Sequence, residues 1–222
     1  MTRDRAIHER VRQIFDGPFG AIYAYYMGHE ALSRVIGRVI WGADLRPFYE
    51  SLRRIADVPS GGLIVDAPCG AGVAFGALSP EHRARYVALD LSEGMLARAR
   101  ATRARRGLTQ IELILGDATA IPVGMGSADL FLSHFGLHCF PDPEAAIREV
   151  ARCLRPGGRL EGSMIVRGPH RRQRLLVQPG RGGFGPGGTV ADLRRWLNEA
   201  NLEADRVEES GCFAYFSATP SA

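Results

Sequence analysis

Four short segments that combine carboxylates, glycines or histidines each follow an apolar run in the sequence. The first, Asp66-Ala67-Pro68-Cys69-Gly70-Ala71-Gly72, follows Leu63-Ile64-Val65 and precedes a predicted helix. Its glycines allow a backbone to approach a ligand closely, and a helix N-terminus favours negative charge. A plain tight turn is the alternative interpretation. The Gly-x-Gly-x-x-Gly dinucleotide pattern is broken, because Phe75 occupies the third glycine position. The Asp66 carboxylate would repel a pyrophosphate but could hold an ammonium group.

Further polar residues end the next three apolar runs. Asp90 lies 24 residues after Asp66 and can accept hydrogen bonds from both hydroxyls of a ribose, or alternatively cap a helix. Asp117, within Gly116-Asp117-Ala118, can accept from an exocyclic amine such as that of adenine. Ser133 and His134 follow the fourth run. Because ligands bind outside the carboxyl ends of parallel strands, these positions predict one shared crevice.

Alternating strands and helices must position these residues. Short apolar runs predict five strands, at about 63–65, 86–89, 111–115, 129–132 and 159–166. Helices are predicted between them, ending near Leu78 and spanning about 92–106 and 143–154, with a later one at 191–200. Two final runs, about 203–209 and 212–218, favour an antiparallel hairpin. The pattern predicts an α/β fold with a parallel sheet and right-handed crossovers.

The four segments, in this order, resemble the motifs of the class I S-adenosylmethionine (SAM)-dependent methyltransferases over residues 60–218. Asp66 to Gly72 looks like the first motif of that family, and Ala88 to Leu96 like its acidic second-strand motif. Gly116-Asp117-Ala118 with Ile121-Pro122 matches the third. The stretch from Phe135 through Arg155-Pro156-Gly157-Gly158 is similar to the small-molecule branch, which includes the ubiquinone/menaquinone biosynthesis methyltransferases. The resemblance implies a Rossmann-like, doubly wound, seven-stranded sheet, mostly parallel with an antiparallel C-terminal hairpin.

The resemblance also implies a cofactor, SAM, its product S-adenosylhomocysteine, and a set of contact residues. Those implied for the methionine and ribose parts are Asp66, Ala67, Cys69, Gly70, Gly72, Asp90 and Ser133. Those implied for adenine are Leu91, Met95, Asp117 and Ala118. Pro68 belongs to the same cofactor-binding loop but stands where the family usually has glycine, and proline removes one backbone donor.

Methyl transfer from a sulfonium needs little acid–base machinery, because the leaving group is already activated. A base helps when the acceptor is a hydroxyl or an acidic carbon. All 28 residues counted as Lys or Arg are Arg, so lysine is excluded as a base or Schiff base. His134 is the predicted catalytic residue, since the pKa range of histidine suits proton removal near neutrality. His138 is predicted to be structural.

The chain is predicted to divide into a helical lid and substrate-pocket extension, residues 1–60, and a SAM-binding domain, residues 61–222. A mobile loop rich in glycine and arginine is predicted at 167–189 within the second part. The first part is rich in aromatic residues: Phe15, Phe19, Tyr23, Tyr25, Tyr26 and Trp41. Most of these rings are expected in the core, yet the set suits a small aromatic or apolar acceptor. It would be methylated on oxygen, carbon or nitrogen, in lipid-quinone or secondary metabolism.

Composition limits the alternatives. The chain has 222 residues and a formal net charge of +4, which is a small excess spread along the sequence, so we expect no nucleic-acid partner. A methyltransferase that acts on RNA or protein through its arginine tracts, at 98–106 and at Arg171, Arg172 and Arg174, is one alternative, and a SAM-binding protein without methyl transfer is another. Four cysteines without metal-ligand spacing predict reduced thiols and no metal site. The absence of a signal-peptide pattern or long apolar run predicts a cytoplasmic protein without stable membrane insertion. The sequence indicates no oligomeric state.

Overall fold

The computed structural model describes residues 3–166, 174–175, 177–178 and 187–221. Seven strands form one sheet: β1 (Leu63–Asp66), β2 (Arg85–Asp90), β3 (Ile111–Leu115), β4 (Ala128–His134), β5 (Leu154–Ile165), β6 (Leu202–Ser210) and β7 (Phe213–Pro220). Their order is β3-β2-β1-β4-β5-β7-β6, with β7 antiparallel to both of its neighbours. The predicted seven-stranded α/β sheet with an antiparallel C-terminal hairpin is therefore confirmed.

Helices precede the sheet and connect its strands. They are α1 (Arg3–Asp16), α2 (Pro18–Met27), α3 (Glu30–Ile36), α4 (Arg46–Leu52), α5 (Glu93–Arg105), α6 (Pro143–Cys153) and α7 (Val190–Glu199). A five-residue π-helix, Gly37–Trp41, continues α3, and a 3₁₀-helix, Arg53–Asp57, continues α4. Within the described residues, none of these helices is long and apolar enough to cross a membrane.

The central strands are buried on both faces, as their continuous apolar runs predict. In β1, Ile64 faces the core that contains α4 and α5, whereas Val65 faces the core that contains α6 and α7. The residues before β1 belong to the first of these cores, through Met27 and Phe48. The helices at the start of the chain therefore pack on the sheet itself.

The connection after β1 differs from the prediction. Instead of an α-helix ending near Leu78, the chain forms a 3₁₀-helix, Ala74–Ala77, in which Leu78 N–H donates to Phe75 O. Gly76 has a poor helix propensity, and Pro80 follows two residues after Leu78, so the sequence does not sustain a longer helix. Phe75 is fully buried against the edge of the Tyr86 ring.

The helices before the sheet are joined to its C-terminal hairpin by hydrogen bonds. Tyr215 Oη donates to Asp44 O at 2.7 Å, and Asp44 N–H donates to Ser210 Oγ at 2.9 Å. Cys212 N–H donates to Trp41 O at 3.2 Å. These bonds fix the end of the π-helix beside β6 and β7. The predicted mobile loop at 167–189 lies mostly outside the described residues.

Candidate functional site

A cleft opens at the carboxyl ends of β1 to β4 and encloses about 1050 Å³, including its open mouth. Most of the predicted site residues line it: Asp66, Pro68, Cys69, Gly70, Asp90, Leu91, Met95, Asp117, Ala118 and His134. Three others do not: Ala67, Gly72 and Ser133. Ala67 N–H donates to Leu132 O, and Ser133 is buried within β4. These three residues support the wall behind the cleft.

The Asp90 carboxylate joins the ends of two elements. Its Oδ2 accepts from Gly70 N–H at 2.8 Å, in the loop after β1, and its Oδ1 accepts from Ser92 N–H at 2.9 Å. Ser92 Oγ in turn accepts from Met95 N–H and caps α5. Burial raises the pKa of Asp90 to about 6, although these hydrogen bonds oppose the rise. The carboxylate that is predicted to bind the ribose is therefore buried and held in a fixed orientation.

Asp66 is a second buried carboxylate in the same cleft. Its Oδ2 accepts from Tyr86 Oη at 2.8 Å. Burial raises the pKa of Asp66 to about 7, the Tyr86 bond lowers it, and the charge of Asp90 raises it further. Two carboxylates that are costly to ionise suit a ligand that brings positive charge and hydroxyl donors.

The cleft also offers an accessible backbone and apolar side chains to a ligand. A Cβ at Gly70, which has φ of +53°, would meet nothing within 4 Å, so the backbone there faces open space. Leu91, Met95 and Ala118 add apolar surface for a flat base. The residues present therefore fit SAM. The described residues contain no group of three or more His, Cys, Asp or Glu side chains that could hold a metal ion.

Helix α1 reaches the cofactor end of the cleft, a contact that the sequence does not reveal. Asp16 Oδ1 accepts from Ser92 Oγ at 2.5 Å and from Gly94 N–H at 2.8 Å. Arg98 on α5 donates to Phe15 O and Gly17 O, on either side of Asp16. The end of α1 is thus attached to the start of α5 by four hydrogen bonds.

A second contact of α1 involves the residue predicted for adenine. His8 Nε2 lies 3.6 Å from Asp117 Oδ2, while Asp117 Oδ1 accepts from the backbone and the hydroxyl of Thr119. His8 and Asp117 both line the cleft. The α1 helix therefore covers the side of the cleft where the base is expected.

His134 is held between two serine hydroxyls. Ser51 Oγ donates its proton to Phe48 O, so it accepts from His134 Nε2–H, at 3.1 Å. The other ring nitrogen, Nδ1, is then unprotonated and accepts from Ser163 Oγ at 3.1 Å. Burial lowers the pKa of His134 to about 3. The imidazole is neutral at pH 7, and its lone pair is already engaged.

A second pocket of about 1090 Å³, including its mouth, adjoins the cleft. Its lining is almost wholly apolar and comes from α1, α2, the π-helix, β5 and β7. Five residues line both cavities: Phe15, Tyr23, Met27, Phe135 and Cys139. Most of the aromatic rings of residues 1–60 were expected in the core, but all of that set except the exposed Tyr25 line one or both cavities.

The contact between α1 and α5 predicts that Gly94→Ala weakens SAM binding. A Cβ at Gly94 would lie 2.8 Å from Asp16 Cα, so α1 must move away from Ser92 and the adjoining Asp90. We expect the dissociation constant for SAM to rise by about fivefold to tenfold, as for the loss of one to two hydrogen bonds. Calorimetric titration measures it.

Gly76→Ala is the matched control, because a Cβ there meets nothing within 4 Å. It should leave SAM affinity unchanged. Asp16→Asn, which keeps the side-chain size, should weaken binding in the same direction as Gly94→Ala. Wild-type affinity in the Gly94→Ala protein would contradict the role assigned to this contact.

The raised carboxylate pKa values predict that SAM binding releases protons. Without ligand, Asp66 (pKa about 7) and Asp90 (pKa about 6) are partly protonated near pH 6.5. A cationic ligand favours their ionised forms, so affinity should rise between about pH 5.5 and 7.5, by up to about tenfold per pH unit where one proton is released. Calorimetry in phosphate and in Tris, which differ in ionisation enthalpy, measures the release.

Asp66→Asn should remove the part of this release that is centred near pH 7, which is the pKa of Asp66. Equal binding enthalpies in the two buffers for the wild-type protein would show that neither carboxyl changes its ionisation on binding.

Comparison with known proteins agrees with this geometry. Residues 65–161 match a family model described as a methyltransferase domain. The demethylmenaquinone methyltransferase of Lactococcus lactis is 31% identical over 154 residues, which cover 68% of this chain and 57% of that protein. The malonyl-[acyl-carrier protein] O-methyltransferase of Methylococcus capsulatus is 34% identical over 143 residues, 64% of this chain and 48% of that protein. The chain thus spans about half the length of these curated relatives.

A solved structure extends the comparison to the whole fold. A SAM-dependent methyltransferase from Aquifex aeolicus superposes with a TM-score of 0.61 at 18% identity, covering 86% of this chain and 97% of that one. At this identity, the likeness concerns the fold alone. Together with the motifs at the carboxyl ends of β1 to β4, the sequence matches show that the chain contains a methyltransferase domain of the SAM-dependent class at residues 65–161.

Proposed function

We propose that this protein transfers the methyl group of SAM to an oxygen, carbon or nitrogen atom of a small aromatic or apolar acceptor. One observation carries the proposal: an apolar pocket adjoins the cofactor cleft, and the two cavities share the side chains between them. The names of the two curated relatives, which refer to demethylmenaquinone and to malonyl-[acyl-carrier protein], support an acceptor outside the nucleic acids. Lipid-quinone or secondary metabolism remains the predicted setting.

Phe135 occupies the boundary between the cavities. It has φ of 52°, a left-handed conformation that is costly for a residue with a Cβ. Its N–H donates to Ser163 O at 2.8 Å, and its ring packs against Phe48 and Phe213. Strain of this kind is retained where surrounding contacts hold it and where a side chain must point in one direction. Here it directs an aromatic ring to the place where cofactor and acceptor would meet.

SAM supplies an activated methyl group, so the task of this chain is to align the acceptor and exclude water. The α1 and α2 helices provide walls to both cavities through Phe15, Tyr23 and Met27. Asp16 attaches α1 to the start of α5, through Ser92 and Gly94. Residues 1–60 therefore act as a lid and an extension of the acceptor pocket, beside a cofactor-binding domain at 61–222.

The alternative of an RNA or protein acceptor bound by Arg98–Arg106 is not supported by the contacts of these arginines. Arg98 donates to two carbonyls at the end of α1, and Arg106 donates to Gly76 O and Leu78 O. Arg103 donates to Ile111 O. These guanidinium groups stabilise the protein's own backbone, which leaves a weaker surface for a polyanion than the sequence indicates.

All four cysteines are buried and none of them forms a disulfide, which agrees with the predicted reducing compartment. A cytoplasmic location remains a prediction on this basis.

The proposal predicts that filling the apolar pocket stops methylation but leaves cofactor binding intact. Ile165 lines this pocket and not the cleft, so Ile165→Trp should abolish acceptor turnover while the SAM dissociation constant stays within about twofold. The assay uses methyl-labelled SAM with naphthols, isoprenoid hydroquinones and acyl thioesters, and follows label in the organic phase together with S-adenosylhomocysteine. Leu115→Trp, at a half-exposed position on edge strand β3, is the control.

Transfer RNA and an arginine-rich protein are included in the same assay. Label in either of them, with none in the organic phase, would replace the proposal by the macromolecular alternative. Binding of SAM without transfer to any acceptor would favour the alternative of a SAM-binding protein without methyl transfer.

The role predicted for His134 is tested by His134→Asn. Since the pKa of this imidazole is about 3 and its Nδ1 is already an acceptor, we expect turnover within about threefold of wild type. At saturating SAM, the rate should show no ionisation step near pH 6.5. A loss of about a hundredfold or more at unchanged SAM affinity, together with loss of such a step, would instead establish His134 as the general base.

A further inference from the structure

The helices that form the acceptor pocket expose an unusual amount of apolar surface. Six large side chains from residues 19–40 are between 42% and 65% exposed, and we call them the apolar face: Phe19, Ile22, Tyr25, Val35, Val39 and Ile40. Phe19, Ile22 and Tyr25 follow one another at intervals of three on α2, and Val35 and Val39 are four apart across α3 and the π-helix. Leu32, in the same segment, is 39% exposed, and the other exposed large apolar residues in the described part of the chain are isolated, at 115, 125 and 175. An apolar concentration of this kind marks a docking surface.

The apolar face and the apolar pocket are built from the same helices. Phe19 belongs to both, since it lines the pocket and is half exposed. Gly37 and Trp41 line the pocket from the same π-helix that exposes Val39 and Ile40. A water-soluble acceptor needs no such surroundings, whereas an acceptor dissolved in lipid could pass from one apolar medium to the other.

The charges beside this face suit an anionic surface. Residues 18–41 contain two arginines, Arg34 and Arg38, against one acid, Glu30, which lies 3.7 Å from Arg34, so the positive excess is carried by Arg38. The Arg38 side chain is 62% exposed, and its contact with Asp44 is loose, at 3.6 Å. A guanidinium group binds phosphate oxygens with paired donors and is less strongly hydrated than an ammonium. Aromatic rings such as that of Tyr25 are typical of the region between lipid head groups and tails.

We propose that the apolar face docks on an anionic phospholipid bilayer, and that the methyl acceptor is a membrane-resident amphiphile that enters the apolar pocket from that bilayer. This rests on the proposed function, because it names the source of the acceptor. A protein bound permanently on the same face would cover Phe19 of the pocket lining and keep the acceptor out. A bilayer both covers the face and supplies the acceptor.

Vesicle flotation with the full chain tests the proposal. The protein should float with phosphatidylcholine vesicles that contain about 30 mol% phosphatidylglycerol and float less at high salt. The triple variant Ile22→Ser, Val35→Ser, Val39→Ser should lower the partition coefficient by at least about tenfold, because it removes three exposed apolar side chains. None of these residues lines either cavity. Met125→Ser, at a position 79% exposed between β3 and β4, is the matched control and should float like wild type.

The basic residue is tested separately. Arg38→Ala should weaken binding to the anionic vesicles by about fivefold, the value expected for one basic residue near such a surface. Arg85→Ala is its control. That side chain is 60% exposed and paired with Glu112, at the amino ends of β2 and β3, on the other edge of the sheet from the cleft. It should leave flotation unchanged.

Calorimetry with SAM on the same preparations separates the two proposals. If SAM binds but the wild type does not float, or if the triple variant floats equally well, membrane docking is refuted and the proposed function stands. If SAM does not bind, the proposed function fails whatever the vesicles show. Sedimentation that finds a wild-type dimer and a monomeric triple variant would assign the face to a second copy and also overturn docking on lipid.

Discussion

Two desolvated carboxylates at the tips of neighbouring strands set the electrostatics of the cleft. Asp66 and Asp90 both have pKa values raised by burial, and the charge of Asp90 adds to the cost of ionising Asp66. The protein offsets part of this cost with one hydroxyl from Tyr86 and two backbone donors, from Gly70 and Ser92. The remainder favours a ligand that carries positive charge and hydroxyl groups, so the same constraint that shapes the loops also selects the cofactor.

Hydrogen bonds connect Asp90 to the first helix of the chain. Asp90 accepts from the backbone N–H of Ser92, and the Ser92 hydroxyl donates to Asp16 on α1. Phe15, the neighbour of Asp16, lines both the cofactor cleft and the apolar pocket. The cofactor cleft and the apolar pocket thus share one wall, and the position of that wall depends on hydrogen bonds at the cofactor end. The α1 helix, which the sequence predicts only as part of a lid and pocket extension, also contacts the cofactor end of the cleft.

The strand ends, the cap of α5 by Ser92 and the cleft position of Asp90 could be predicted, because each depends on a pattern within a few residues. The contact of Asp16 with Ser92 could not, since the two lie 76 positions apart and neither carries a motif for it. The prediction of an α-helix after β1 was wrong, because Gly76 and Pro80 do not allow a longer helix there. The sequence also could not separate motif residues that line the cleft from Ser133, which lies behind it.

Because all the basic Lys and Arg positions are arginine, their side chains make backbone contacts that the net charge does not reveal. Arg98, Arg106 and Arg152 each donate to two backbone carbonyls that lie two residues apart in a distant segment of the chain. A planar guanidinium presents several donors at fixed angles and can bridge such carbonyls, whereas an ammonium acts as a point charge on a flexible stem. These arginines therefore stabilise loops and the end of α1. On the π-helix that lines the apolar pocket, the Arg38 side chain is 62% exposed, so this local charge, and not the net charge of the chain, is what an anionic surface would meet there.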